Sequence, residues 1–176
     1  MAAEETHEIG REGVLKGQLL LWRLFGNSIK LPFNAYDHGP KLRFSDVPEG
    51  TFNYDLGGSI ERPNPNRFSK FESTDIFVEV KAYQHGKDLL AAYAEFLRHA
   101  AVMSTKERHR DTWFVFLASV PFGCSKGIEL CNGQFLDECQ MKWPEPLKAH
   151  AGNLHLRVCL LIATASFERM LLEWSR

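Results

Sequence analysis

The feature that most constrains this fold is an unbroken apolar run in the middle of the chain. Residues 112–120 read Thr-Trp-Phe-Val-Phe-Leu-Ala-Ser-Val, and Pro121 ends the run. A strand with one face in water alternates apolar and polar side chains, whereas a continuous run is typical of a strand buried on both faces. Helices are the usual cover for the two faces of such a sheet. The sequence therefore predicts an α/β fold in which a mixed central β-sheet is flanked by helices.

A second strand is predicted over residues 74–82, where the side chains alternate in character. Successive side chains of a strand point to opposite faces. One face is apolar, with Ile76, Val78 and Val80, and the other carries Phe77, Glu79 and Lys81. The apolar face is expected to pack into the core. The opposite face then displays a carboxylate and an ammonium group side by side.

Two helices are predicted from apolar residues that recur at steps of three and four. The first covers residues 8–25 and ends at Gly26 and Asn27, which suit a C-terminal cap. The second covers residues 87–103. The expected inward-facing stripes are Leu15, Leu19 and Trp22 in the first helix, and Leu89, Tyr93, Phe96, Ala100 and Met103 in the second.

The other predicted elements are shorter. Strands are expected at residues 28–33, 41–44, 51–54 and 154–163, and a closing helix at residues 165–174. Residues 56–70 contain Gly, Pro and Asn clusters, which predict a loop or a broad hairpin end. Asn132-Gly133 predicts a two-residue hairpin turn.

Composition limits the class of protein. The 176 residues suit one domain, with a core at 8–123 and an extension at 124–176 that completes the sheet or forms an interface. The 21 Lys and Arg residues balance 22 Asp and Glu residues, which excludes a strongly basic nucleic-acid binder but leaves room for a local basic face. No apolar run is long enough to span a membrane, and the start of the chain lacks the pattern of a signal peptide. We therefore expect an intracellular, cytoplasmic protein.

Four cysteines are present, at positions 124, 131, 139 and 159. None forms a CxxC pair, and their spacing fits no common zinc module. Free thiols are expected. Cys124 as the nucleophile of a small-molecule hydrolase is an alternative, although no motif pairs it with a histidine.

The candidate chemistry centres on the triplet Glu79-Val80-Lys81. A divalent cation prefers oxygen ligands, and Asp55 is the best second carboxylate because it follows a short strand candidate and precedes two glycines. Asp75 shares the face of Glu79 but lies four strand residues away, roughly 13 Å. Lys81 would orient an attacking water or stabilise charge on a phosphate. The alternative interpretation is an exposed Glu–Lys pair on a half-buried strand, because the ExK pattern is common.

With Asp55 and the Glu79-Val80-Lys81 triplet, residues 8–123 resemble the PD-(D/E)xK, or restriction-endonuclease-like, nucleases. The arrangement is most similar to Mrr-like restriction endonucleases and Holliday-junction resolvases. In this chain Tyr54 precedes Asp55, where the family pattern has proline. The resemblance implies a restriction-endonuclease-like fold and phosphodiester hydrolysis with Mg²⁺ or Mn²⁺. It favours DNA over RNA as the substrate, and bacterial defence or DNA repair as the setting.

Other residues are candidates for the same site. Glu12 continues the stripe of the first helix, where a metal cluster could use it, and several members of the family carry a glutamate on this helix. It can equally be a first-turn acid favoured by the helix dipole. Gln84 follows Lys81 by three residues and is a catalytic candidate or simply part of a turn. Contacts to nucleic acid are expected from Lys87, Lys106, Arg108 and Arg110, for which the alternative is solvated surface charge.

Two functions follow as hypotheses of different classes. The first is a metal-dependent nuclease in which Asp55, Glu79 and Glu12 bind the ion. The second is a non-catalytic interaction subunit on the same fold, within a larger assembly. In either case residues 124–176 are expected to offer a surface for a homodimer or a protein partner.

Overall fold

A computed structural model gives the fold, and it describes residues 2–46, 50–63, 71–82, 89–120, 133–151 and 154–164. Short 3₁₀ turns connect several of the elements. The helices and strands, labelled in chain order, are α1 (Ala2–Phe25), β1 (Ile29–Asn34), α2 (Ala35–His38), β2 (Arg43–Asp46), β3 (Gly50–Asn53), β4 (Leu56–Pro63), β5 (Phe71–Ala82), α3 (Leu89–Ser104), β6 (Trp113–Val120), α4 (Gly133–Met141), α5 (Glu145–Ala151) and β7 (Val158–Thr164).

The central sheet has five strands in the order β1-β4-β5-β6-β7. The pairs β1–β4 and β4–β5 are antiparallel, whereas β5–β6 and β6–β7 are parallel. Parallel neighbours need a crossover, and α3 provides it between β5 and β6. Strands β2 and β3 form a separate antiparallel hairpin. The predicted mixed sheet flanked by helices is confirmed, and β7 in the C-terminal extension adds its fifth strand.

The two faces of the sheet bury different sets of side chains. On one face, α1 covers Ile76, Val78 and Val80 of β5. On the other, α3 and the β2–β3 hairpin cover an aromatic cluster that includes Phe77, Phe114 and Phe116. Residues 114–118 of β6 are at most 3% exposed, so this strand is buried on both faces as predicted. The predicted inner stripe of α3 is also buried along its whole length.

The face of α1 that meets the sheet is not the predicted one. Leu15, Leu19 and Trp22 are 50%, 42% and 44% exposed, so the prediction that they point inward was wrong. The buried face instead carries Val14 and Leu21, with Gly17 between them. A Cβ atom on Gly17 would lie 3.0 Å from the side chains of Val80 and Leu117. The missing side chain lets α1 approach the sheet closely, and this sets the rotation of the helix.

Strand β4 was also missed. Residues 56–63 form a strand between β1 and β5, so the prediction of a loop over residues 56–70 was wrong in that part. Residues 64–70 lie outside the described residues. Glycine occurs at positions 57 and 58 because neighbouring residues pack too close to leave room for a side chain, and not because the chain turns there. A Cβ atom on Gly58 would lie 2.8 Å from the backbone carbonyl carbon of Lys30 in β1.

The C-terminal third differs from the prediction in one place. Gly133 begins α4, so the predicted hairpin turn at Asn132-Gly133 was wrong from that residue onward. Residues 121–132, with Cys124 and Cys131, and the predicted closing helix at 165–174 lie outside the described residues. Cys139 and Cys159 are free thiols. Among the described helices, none combines the length and the apolar character needed to cross a bilayer.

The close approach at Gly58 gives a stability prediction. Gly58→Ala should lower the free energy of unfolding by about 2–3 kcal/mol, because its Cβ would overlap the backbone of β1, which cannot rotate away. Gly39→Ala is the matched control, since Gly39 has a helical φ of −44° and no atom within 4 Å of its would-be Cβ. Urea unfolding of both variants measures the difference, and equal midpoints would contradict this account of β4.

Candidate active site

Asp55, the residue just before β4, is held by three hydrogen bonds to backbone groups. Its N–H donates to the carbonyl of Val78 at 2.9 Å, and its carbonyl accepts from the N–H of Ala35 at 2.8 Å. Its side chain takes part in the sheet as well, because Oδ2 accepts from the N–H of Val80 at 2.7 Å. The carboxylate thus accepts a hydrogen bond that a backbone carbonyl would accept if the β4–β5 pairing continued, and this fixes it against β5.

Glu79 and Lys81 flank Val80 on β5 and project together on the face opposite Val78 and Val80. The Nζ atom of Lys81 lies 2.6 Å from Oε1 of Glu79. The Glu79 side chain is 16% exposed and that of Lys81 is 36% exposed. The predicted alternation of β5 therefore holds at the site, and the hydrogen bond to Val80 brings the Asp55 carboxylate to the residue between them.

Burial raises the pKa of both carboxyl groups, and the charge of Asp55 raises that of Glu79 further. The pKa of Asp55 is raised by burial, while the Val80 N–H and the charge of Lys81 act to lower it. The pKa of Glu79 is raised to about 7, first by burial and then by the charge of Asp55, against the lowering effect of Lys81. Asp55 therefore ionises first, and its charge opposes the ionisation of Glu79. A cation between them would relieve this repulsion.

The donor set suits Mg²⁺ or Mn²⁺. Mg²⁺ is commonly held by one or two carboxylates, with substrate phosphate oxygens and water completing the shell. Asp55 and Glu79 supply two such carboxylates. In the part of the chain that the structure describes, no third His, Cys, Asp or Glu joins them to form a larger ligand group. Two carboxylates leave most of the coordination shell of such an ion to water and other oxygen ligands.

Two further polar residues adjoin the site and were missed from the sequence. Tyr36 in α2 has a raised pKa, caused by burial and then by the charge of Asp55. Glu95 in α3 contributes to the raised pKa of Glu79. The sequence near Tyr36 does contain a sign of the short helix that positions it. Asn34 is a typical helix-capping residue, and its side chain accepts hydrogen bonds from the N–H groups of Tyr36 and Asp37. Glu95 had no such sign, since only the packing of α3 brings it near β5.

A cleft of about 320 Å³ opens beside Glu79 and Lys81. Strand β3 forms one wall with residues 50–53, and α3 forms the other. The wall from α3 carries Ala92, Glu95, Phe96, Arg98 and His99. Asp55 is not among the lining residues, because its carboxylate is directed along the sheet toward Val80. A molecule in this cleft would lie directly beside the Glu79–Lys81 pair.

Glu12 does not join the two carboxylates. It lies on the exposed face of α1, where its side chain is 63% exposed and its Oε1 is 2.8 Å from Nζ of Lys16. Lys16 lowers the pKa of Glu12, through a hydrogen bond and through its charge. The prediction that Glu12 points inward was wrong for the same reason as the stripe it continues. Gln84 and Lys87 lie outside the described residues.

The predicted basic segment lies toward the other end of β5. Thr74, near the start of that strand, donates from Oγ1 to the carbonyl of Asp111 at 2.8 Å. Seven strand residues, roughly 23 Å, separate Thr74 from Lys81. Lys106 and Arg108 make local contacts there: Nζ of Lys106 lies 5.7 Å from the ring centre of Phe44, and Nε of Arg108 donates to the ring of the buried His109. Arg110 is exposed in the same segment.

The structure therefore does not bring Lys106, Arg108 and Arg110 next to Glu79 and Lys81. Their contact with nucleic acid stays a prediction, for a part of a bound strand distant from the reacting phosphate. Asp75 is engaged at the same end of β5, where its Oδ2 lies 3.7 Å from Nδ1 of His109. This agrees with its exclusion from the metal site on distance.

Comparison of the chain with protein-family models, with curated proteins and with solved structures found no match.

The raised pKa of Glu79 gives a prediction about pH and stability. Well below pH 4.5, Glu79 is protonated in both the folded and unfolded states, so it imposes no penalty. As the pH rises toward 7, the unfolded chain releases this proton while the folded protein keeps it, so the free energy of unfolding falls. Glu79→Gln removes this loss. In EDTA, its stability relative to wild type should rise by about 2–3 kcal/mol between pH 5 and pH 8.

Urea unfolding at the two pH values measures this change. Glu145→Gln is the control, because it removes a carboxylate that is 84% exposed on α5. If Glu79→Gln gains no more than this control between pH 5 and pH 8, the account of Glu79 as a destabilised buried acid fails.

Proposed function

We propose that the protein is a metal-dependent nuclease that hydrolyses phosphodiester bonds, in DNA rather than RNA, on a restriction-endonuclease-like fold. The observation that carries the proposal is the placement of Asp55. Its carboxylate accepts from the N–H of Val80, the residue between Glu79 and Lys81. This bond holds Asp55 beside the segment of β5 that carries Glu79 and Lys81, and it supports these three residues, which the resemblance names, as one site.

The electrostatics of the site support a cation. Buried carboxylates that oppose each other's ionisation are costly unless a positive charge compensates them. Lys81 compensates in part, through its contact of 2.6 Å with Glu79. The second unit of compensation would come from Mg²⁺ or Mn²⁺ held by Asp55 and Glu79. When bound, such an ion lowers the pKa of a water molecule and neutralises charge that develops on a phosphate.

Each residue of the chain then has a role set by its geometry. Asp55 is a rigid ligand, because its backbone and side chain are both hydrogen-bonded to β5. Glu79 is the ligand that faces the cleft. Lys81 also faces the cleft and is partly exposed, so its ammonium group can orient the attacking water or stabilise negative charge on the phosphate. Positioned groups of this kind act without rearranging during the reaction.

The substrate assignment rests on the resemblance together with the local charge. The chain as a whole carries a net charge of −1, so it does not attract a polyanion through its overall field. Binding must instead come from local contacts at the cleft and from the ion. DNA is favoured because nucleases with this pattern act mostly on DNA.

Cleavage of linear, supercoiled, branched and single-stranded DNA, and of RNA, tests the proposal. The wild-type protein is assayed with Mg²⁺, with Mn²⁺ and with EDTA. Asp55→Asn and Lys81→Ala should each reduce the cleavage rate about 10²–10³-fold, because each removes a group fixed beside the reacting phosphate. Lys142→Ala on α4 and Glu145→Gln on α5 are controls for loss of an exposed charge, and they should cut at the wild-type rate.

The outcomes separate the explanations. Metal-dependent cutting that both site variants lose, and both controls keep, supports the nuclease and its residues. Cutting that survives in the site variants points to a contaminant or another site. Absence of cutting by the wild-type protein on every substrate would overturn the proposal.

A second candidate function, a non-catalytic subunit of a larger assembly, is favoured by one observation. Leu15, Leu19 and Trp22 form an exposed apolar stripe along α1, on the side away from the sheet. Contiguous exposed apolar residues are typical of protein interfaces. If the wild-type protein cuts nothing, and Leu19→Asp abolishes a complex that light scattering detects for the wild type, this function replaces the nuclease.

A further inference from the structure

The cleft beside Glu79 and Lys81 is small and partly walled. Its volume is about 320 Å³, and β3 and α3 form opposite walls. Sites for small ligands have volumes of roughly 300–1,000 Å³. One nucleotide suits a cleft at the low end of that range. A base-paired stack has two nucleotides side by side at every level, which is more than a cleft of this volume holds, so we expect a duplex to stay outside it.

The polar groups of the cleft suit one nucleotide and not a long charged strand. Lys81 and Arg98 bring positive charge, and Glu79 and Glu95 bring negative charge. This near balance is unlike a basic groove that follows many phosphates. With a divalent cation on Glu79, the end of the cleft at β5 favours one phosphate group. Arg98 then lies on the α3 wall, within the same cleft, where a neighbouring phosphate or base would rest.

His99 is held in a fixed orientation at this wall. Its ring stacks on Phe52 of β3, with ring centres 4.0 Å apart and planes 3° from parallel. The Nε2 atom of His99 also lies 3.9 Å from Oε1 of Glu95. Phe52 is only 6% exposed, so its ring packs against the imidazole and is not itself a surface that a ligand could contact. Side chains fixed before binding cost less entropy when a ligand is bound.

We propose that this cleft is a subsite for one unpaired nucleotide next to the phosphate that is cut, with Arg98 and His99 as its binding residues. The proposal rests on the proposed nuclease function and names its substrate class: single-stranded nucleic acid, or a duplex that is unpaired at the cut. The nucleotide enters between β3 and α3. Its phosphate meets Lys81, and its base or following phosphate meets Arg98 and His99.

The first test compares DNA substrates of one sequence. A labelled 30-nucleotide strand is presented alone, in a full duplex, and in a duplex with a central unpaired bubble. We expect kcat/KM at least tenfold higher for the single strand and the bubble than for the full duplex. Equal or faster cutting of the full duplex would overturn the subsite while leaving the nuclease intact.

The second test separates binding from chemistry. Arg98→Ala should raise KM for the single strand about tenfold and change kcat little, and the slope of log KM against log salt should fall by about 0.7, which is the loss of one phosphate contact to a single strand. Arg98→Lys should restore part of the slope because it keeps the charge. Lys142→Ala, on α4, is the matched control and should leave KM and slope unchanged. Thermal unfolding of each variant establishes that it is folded.

Binding of the fluorescent single strand in Ca²⁺ distinguishes the two failures. Binding that is selective for the single strand and weakened by Arg98→Ala, without cleavage in Mg²⁺ or Mn²⁺, keeps the subsite and overturns the nuclease. If Arg98→Ala cleaves the single strand with the same KM and the same salt slope as the wild type, the nuclease proposal stands and the subsite is overturned. Neither binding nor cleavage overturns both.

Discussion

The candidate site depends on one hydrogen bond, from the N–H of Val80 to the carboxylate of Asp55, 2.7 Å long. The side chain of Asp55 replaces a strand partner at the end of the β4–β5 ladder, so backbone geometry fixes its position. Burying a carboxylate in this way is unfavourable, and a charge-assisted hydrogen bond offsets part of that cost. Because Val80 separates Glu79 from Lys81, the same bond also fixes Asp55 relative to both of them.

Strand β5 can carry this site because its two faces have separate tasks. The residues toward α1 are apolar and anchor the strand, and Gly17 lets the helix come close enough to hold Val80 in place. The other face changes character along its length. Phe77 packs in the aromatic cluster under the hairpin, and Glu79 and Lys81 lie farther along the strand, where the cleft begins. A rigid apolar half thus supports a polar half that can face substrate.

Local periodicity predicted the parts of the fold that have a regular pattern. The alternation of β5, the continuous apolar run of β6 and the stripe of α3 are each visible within a few residues. Strand β4 was not predicted, because two adjacent glycines are typical of a turn. Glycine is needed at positions 57 and 58 because Leu42 and Lys30 lie too close to leave room for a side chain. The predicted orientation of α1 was wrong for a similar reason. The helix has apolar residues on two sides, and only its contact with the sheet determines which side is buried. Of the site, Asp55, Glu79 and Lys81 could be identified from sequence order, whereas Glu95 required the packing of α3.

The charge distribution connects the site to the kind of substrate it suits. A chain with a net charge of −1 gains little from long-range attraction to a polyanion, so recognition has to be short-ranged. Short-ranged recognition needs side chains that surround the ligand. The β2–β3 hairpin forms one side of the cleft, opposite α3. The stack of Phe52 on His99 joins these two walls. The hairpin, which lies outside the central sheet, therefore closes one side of the candidate site. In a nuclease of the proposed kind it would form part of the binding architecture, because without it Glu79 and Lys81 would lie on an open surface.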